Sequence, residues 1–262
     1  MSHPVKRRII KCLRNNDLSF TELLNLVGEM DHGKFGYHLR TLKDFIKFDA
    51  ATKKYCLAEK GKFLDACIRD FRFITSVSRE PAKYAEGLRI GDHAVGLYNS
   101  EEFKLEIAFP FLKKGLQKGE AVAYIASEHK QSLIAKEILN YGIKSDYLDN
   151  ETFTFMSAYD WYLEKGEAQG KTIIANWNEL VKEKKRAGFA GLRVAGEMDT
   201  FFDYGKVEEL LSYAELLGRR FETDFVALCL YNPDRLDCEQ FSRICHAHGH
   251  IISKNVVGEM IV

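Results

Sequence analysis

No stretch of the chain approaches the roughly 20 uninterrupted apolar residues that a membrane-spanning helix requires. The opening MSHPVKRRII has neither the apolar run nor the small-residue cleavage site of a signal peptide. A membrane partner is therefore excluded and a cytoplasmic, soluble protein is expected. The six cysteines, at positions 12, 56, 67, 229, 238 and 245, contain no CxxC pair and no regular framework, which fits reduced thiols, most of them core residues, better than disulfides. Internal repeats and low-complexity tracts are missing as well. So is net charge, since 38 Lys and Arg balance 38 Asp and Glu.

The zero conceals a division. Residues 1–90 carry 18 Lys and Arg against 11 Asp and Glu, which leaves 20 against 27 for the remainder. A basic head on an acidic body assigns any polyanion-binding surface to the head. At 262 residues with 46% hydrophobic composition the chain can build one large or two ordinary domains with a real core.

In the head, Pro4 opens a helical period with apolar residues at 5, 9, 10 and 13, stopped by Asn15-Asn16. Ser19, with Glu22 three residues on, is a capping box for a second helix ending at Gly28. Asp31 caps a third, KFGYHLRTLKDF, with Phe35, Leu39, Leu42 and Phe45 inward and Lys34, Tyr37, His38, Arg40, Thr41 and Lys43 outward. Short strands at 46–49 and 54–57 flank a polar turn carrying Lys53 and Lys54, and a fourth helix is expected from Glu59 onward. Two short helices with a basic second one, followed by a basic hairpin, suit major-groove reading. Lys34, Arg40 and Lys43 would meet phosphates or bases, Tyr37 and His38 would read base edges, and Lys53 and Lys54 would anchor the wing. YHLRTLKDF followed by KYCLAEKG resembles the recognition helix and hairpin exit of ArsR-like winged helix-turn-helix regulators. The resemblance implies binding to double-stranded DNA as a homodimer; metal sensing is not implied, because the cysteine pair of the metal-sensing members is missing.

Pro81 and two glycines mark a linker at 76–91, between a domain at 1–75 and another at 92–262. In the body, strand-like runs HAVGLY, EAVAYIA, TFTFM, GLRVAG, FVALCLY and HIISKN alternate with helical patterns at 101–117, 130–140, 171–187, 204–221 and 237–245. This is the pattern of an α/β fold, a mainly parallel sheet covered by helices. Ligands of such sheets bind beyond the carboxyl ends of the strands, where Tyr98, Glu197 and Tyr231 fall. The first strand-to-helix turn, LYNSEEFKLEI, carries two glutamates where a phosphate loop needs glycines and a lysine, which argues against triphosphate binding.

HAVGLY with its His93, FLKKGLQKGEAVAYI, GLRVAGEMDTFF, the Tyr213-Ala214-Glu215 step, Cys229-Leu230-Tyr231 and the terminal HGHII resemble the MEDS domain, the methanogen/methylotroph sensory domain of dichloromethane-repressor-type proteins. That resemblance implies a three-layer, RecA-like body without a phosphate loop, a small organic ligand, and a ligand-contacting or sheet-anchoring role for His93. His93, Tyr98, Glu197 and Tyr231 are thus the candidate ligand residues, and Arg193 a buried partner. Cys245, His246, His248 and His250 form the most metal-like cluster, but their side chains diverge if a helix ends near 247, so no metal and no cofactor are expected. Cys229, mid-strand, is expected to be an inert thiol. No Ser/His/Asp or Cys/His arrangement has a nucleophile context, so no enzyme and no catalytic residue are expected. The expected protein is a one-component transcriptional regulator. The alternative is a signalling adaptor whose winged helix contacts protein and whose degenerate body recruits a kinase or ATPase.

Overall fold

A computed structural model of the chain describes residues 4–28, 31–62, 65, 80–127, 131–149, 152–163, 166–254 and 257–260. The chain divides into two compact units, Met1–Arg72 with Asp237–Ser242 and Phe73–Leu236 with Arg243–Val262. Among the described residues, no helix is long and apolar enough to cross a membrane.

Among the described residues of 1–57 lie α1 (Pro4–Cys12), β1 (Leu18–Ser19), α2 (Phe20–Val27), α3 (His32–Thr41), β2 (Ile46–Asp49) and β3 (Lys54–Leu57). Local chemistry sets the helix ends. Ser19 Oγ accepts from the Glu22 amide at 3.4 Å while Glu22 Oε2 accepts from the Ser19 amide at 2.8 Å, closing the capping box. Gly28 terminates α2 at φ 71°, and Asp31 Oδ1 accepts from the Gly33 and Lys34 amides at 2.8 and 3.0 Å. The hairpin pairs Ile46 with Leu57 and Asp49 with Lys54, and β1 adds antiparallel to β3, giving the order β1-β3-β2. Ile9, Ile10, Leu13, Leu23, Leu24, Val27, Phe35, Leu39, Leu42, Ile46 and Leu57 form one core. Gly61, the last residue of the hairpin-exit motif, lies so close to the Phe45 carbonyl that any Cβ would collide with backbone. The fourth helix expected after Glu59 falls mostly outside the described residues.

In the second unit the strands are β4 (His93–Leu97), β5 (Ala121–Ala126), β6 (Phe153–Ser157), β7 (Leu192–Glu197), β8 (Phe225–Tyr231), β9 (His250–Ser253) and β10 (Val257–Glu259). They form one sheet in the order β10-β9-β4-β8-β7-β5-β6, parallel throughout except for β10, which runs antiparallel along β9. The described helices after residue 80 are α4 (Pro81–Gly87), α5 (Glu101–Gln117), α6 (Gln131–Asn140), α7 (Asp146–Asp149), α8 (Ala158–Tyr162), α9 (Gly170–Arg186), α10 (Asp199–Asp203), α11 (Val207–Leu217) and α12 (Cys238–Ala247), the last of which the division between units crosses at Arg243. Crossovers between parallel strands are right-handed, so connections running in opposite directions across a sheet put their helices on opposite faces. Those from β4 to β5 and β5 to β6 run one way; those from β6 through β7 and β8 to β9 run back. The α5 and α6 side buries Phe103, Ile107, Phe111, Ile134 and Ile138 against Ala94, Tyr124, Ala195 and Leu228. On the opposite face Trp177 of α9 stacks on Phe225 with ring centroids 5.1 Å apart, and its Nε1 donates to the Tyr213 hydroxyl at 2.8 Å. The result is the expected three-layer mixed α/β body.

Two expected element boundaries differ from the structure. Residues 81–91 are not a bare linker: Pro81 opens α4, and Ala85 and Leu88 are buried in the same core as α5. The helix expected over 204–221 is shorter, α11 over Val207–Leu217, and a separate short helix, α10, precedes it, with Gly205 turning the chain at φ 66° between the two.

Candidate functional site

Glu197 ends β7 and is fully buried on the α5 side of the sheet. Lys104, one turn into α5, is equally buried and places its Nζ 2.6 Å from Glu197 Oε1 and 2.7 Å from Glu101. Tyr124 donates its hydroxyl to the same Oε1 at 2.8 Å, while the Ser127 amide and hydroxyl donate to Oε2 at 3.2 and 3.1 Å. The Lys104 ammonium sits 5.2 Å from the centroid of the Tyr98 ring, and the Tyr98 hydroxyl donates to Asp199. Burial, reinforced by the Asp199 carboxylate, pushes the Tyr98 phenol well above its usual range, and burial with Glu197 does the same to Tyr124, so both are donors at any ordinary pH. The carboxylate of Glu197 is supplied with four donors from the protein itself. An incoming ligand reaches it only by displacing one of them.

His93 and Tyr231 lie on the other face. The His93 ring is fully buried, its Nδ1 2.6 Å from the Gly218 carbonyl and its Nε2 3.4 Å from Cys229 Sγ. His248 follows α12 with its Nδ1 2.7 Å from the Ile244 carbonyl, and the two imidazoles have centroids 3.9 Å apart. Tyr231 meets the His248 ring edge-on at 5.8 Å. Because a carbonyl only accepts, Nδ1 of both histidines carries the proton and Nε2 of both is a bare lone pair. Burial drives the His93 imidazolium down to about 4, against the opposing Gly218 and Ala247 carbonyls, and drives His248 well below its ordinary value, with His93 adding to the effect. Burial alone pushes the Cys229 thiol up to about 12. The four candidate ligand residues are thus not one pocket: the sheet separates Tyr98 and Glu197 from His93 and Tyr231.

The terminal Cys/His run diverges because α12 ends at Ala247. Cys245 is buried and His246 exposed. His250 turns away to the Tyr84 hydroxyl at 2.9 Å and Asp92 at 3.3 Å. Arg193, as expected, is a buried partner: its Nε and NH2 contact Glu120 at 2.5 and 3.2 Å, and its guanidinium lies 4.5 Å from the Phe111 centroid.

An open groove of about 390 Å³ lies near the carboxyl end of β6, lined by Asp160, Trp161, Tyr162, Thr172, Ile173 and Asn176 among others. The buried Trp161 Nε1 has no hydrogen-bond partner among the described residues. None of the four sequence candidates lines this groove.

In the first unit, Lys34, Tyr37, Arg40, Lys43 and Lys53 are exposed and Lys54 is half-buried. His38 is a correction: it is only 7% exposed rather than outward. It stands three residues after Phe35 and four before Leu42, which puts it on the flank of the inward stripe.

Lys104, Tyr124, Trp161 and the approach of His248 to Cys229 were not anticipated. Lys104 carried a signal, since it occupies the helical stripe of Ile107, Ala108 and Phe111 and so had to be buried with a partner.

Residues 92–249 match the MEDS family, described as the methanogen/methylotroph, DcmR sensory domain. The chain belongs to this family. The MEDS match covers the described sheet from the start of β4 to the entry of β9 and includes both buried clusters. Among solved structures, the MEDS chain is similar to the flagellar accessory protein FlaH from Methanocaldococcus jannaschii, at 14% identity and a TM-score of 0.36, over 69% of this chain and 79% of that one. No curated protein matches the chain.

Proposed function

We propose that the chain is a one-component transcriptional regulator without enzymatic activity: its first unit is an ArsR-like winged helix that binds duplex DNA, and its MEDS body senses a small organic molecule. The observation that carries this reading is a cationic face on a sensory protein. Lys34, Tyr37 and Arg40 are exposed on α3, Lys43 is exposed in the turn that follows it, and Lys53 stands in the turn of the adjacent hairpin with φ 58°. Exposed cations on a short helix and on a neighbouring hairpin match a groove and its flanking phosphates. For the ligand, the groove beside Trp161 and Tyr162 is of small-molecule size and pairs aromatic walls with Asp160, Thr172 and Asn176 as polar contacts. Regulation then requires that the ligand bind the DNA-competent and DNA-incompetent states with different affinity.

The test is salt-dependent binding of the full chain to a duplex selected from a random-sequence pool. Arg40→Ala is expected to weaken the selected duplex by about 1–3 kcal/mol, whereas Lys53→Ala weakens all duplexes alike and lowers the log-log salt slope by about 1. His38→Ala should cost stability and leave the salt slope unchanged. A flat salt dependence in the parent protein would overturn the DNA reading in favour of a head that binds protein.

A further inference from the structure

The MEDS body contains a group of donors that neither the sheet nor the sensing groove uses. A ring nitrogen of His93, Sγ of Cys229 and a ring nitrogen of His248 lie within 4.8 Å of one another, and all three residues are buried. Three distant segments supply them: the first residue of β4, the middle of β8 and the residue two before β9. The sheet order brings them together, because β4 is hydrogen-bonded on one side to β8 and on the other to β9.

Hydrogen bonding within the protein accounts for two of the three. The Cys229 thiol can donate to His93 Nε2 across 3.4 Å. His248 Nε2 has no hydrogen-bond partner among the described residues, in a ring with no exposed surface. A bare acceptor in that position forfeits its hydration for nothing. Both rings are also fixed as metal-ligating histidines usually are, with the remote Nδ1–H held by a backbone carbonyl, Gly218 for one and Ile244 for the other.

We propose that His93, Cys229 and His248 form a buried three-coordinate site for Cu+. Thiolate and imidazole donors select thiophilic ions and disfavour Mg2+ and Ca2+, which take oxygen. Coordination number and charge then choose within that class. Zn2+ in a closed site takes four protein ligands, and this is a group of three. A single thiolate neutralises Cu+ completely but leaves Zn2+ with a net positive charge inside an apolar layer walled by Phe221 and Tyr231, where uncompensated charge is costly. Loading is not a redox step. Cu+ replaces the thiol proton, the Cu–S and two Cu–N bonds form, and one proton leaves to solvent per ion bound. The ion would then lock the start of β4, the middle of β8 and the chain entering β9 to one another.

The experiment is titration of the purified full chain with Cu+ against a chromogenic Cu+ chelator under anaerobic, reducing conditions, in parallel with Zn2+, followed by X-ray absorption of the copper-loaded protein. One tightly held Cu+ per chain is expected, with a first shell of one sulfur and two imidazole nitrogens. Cys229→Ser and His248→Gln, each checked for folding by circular dichroism, should lose more than the roughly 10–100-fold in affinity that an outer-shell change costs. Equal retention by parent and variants overturns the site. So does a copper shell of two or more sulfurs, a result that depends on no variant folding and would assign the ion to the other cysteines. Tight uptake of Zn2+ without Cu+ overturns the choice of ion.

Discussion

The two faces of the MEDS sheet bury polar groups in opposite ways. On the α5 side the Glu197 carboxylate is matched by Lys104, Tyr124 and both donors of Ser127, so charge and lone pairs are compensated internally. On the α12 side the imidazoles are neutral, the thiol is protonated, and one ring nitrogen is left over. A saturated cluster fixes one arrangement of the strands it joins. An unsaturated one has capacity for something else. The difference lies in chemistry, since Glu197, Lys104 and Tyr124 on one face and His93 and His248 on the other are alike without exposed surface.

Stability measurements by denaturant unfolding would sharpen or break this contrast. The largest effect is expected from Glu197→Ala, which leaves the Lys104 ammonium buried with only the half-exposed Glu101 beside it; breaking such a pair costs about 3–5 kcal/mol. A loss below about 1 kcal/mol would mean that the pair is solvated and that Glu197 is open to ligand. Tyr124→Phe removes one donor from the same carboxylate and should cost about 1.5–3 kcal/mol, the range for a hydrogen bond to a charged group. The smallest effect belongs to the other face: in the metal-free chain Cys229→Ser is expected to cost about 1 kcal/mol, because the hydroxyl still donates to His93 Nε2. Should the serine variant be as damaged as Glu197→Ala, the two faces would not differ in the way described.

What the sequence made legible divides along a similar line. Features decided within a few residues could be read directly: the Ser19 capping box, the Asp31 cap, the turn at Gly28, and strands 46–49, 54–57 and 225–231, which coincide with β2, β3 and β8. The mainly parallel sheet followed from continuous apolar runs. Positions decided by the neighbouring layer were harder. His38 looked like an outward residue because a histidine is polar, yet its helical phase beside Phe35 and Leu42 carries it inward. Glu197 was rightly placed at the carboxyl end of a strand, but its side chain meets Lys104 from a helix 93 residues away, and no local pattern announces that partner. His248 and Cys229 come together only once β4 is known to lie between β8 and β9. The terminal histidines therefore suggested a ligand set within one run, whereas the geometry scatters that run and pairs one of its members with distant residues.

The three-residue β10 has a consequence of another kind. It lies antiparallel along the outer side of β9, with Val257 opposite Ile252 and Glu259 opposite His250. Without it, the amides and carbonyls of β9 would be a ready template for another chain's backbone. Removing residues 257–259 should therefore show itself first as self-association through the uncovered edge, detectable by light scattering while the parallel sheet still gives its native circular dichroism.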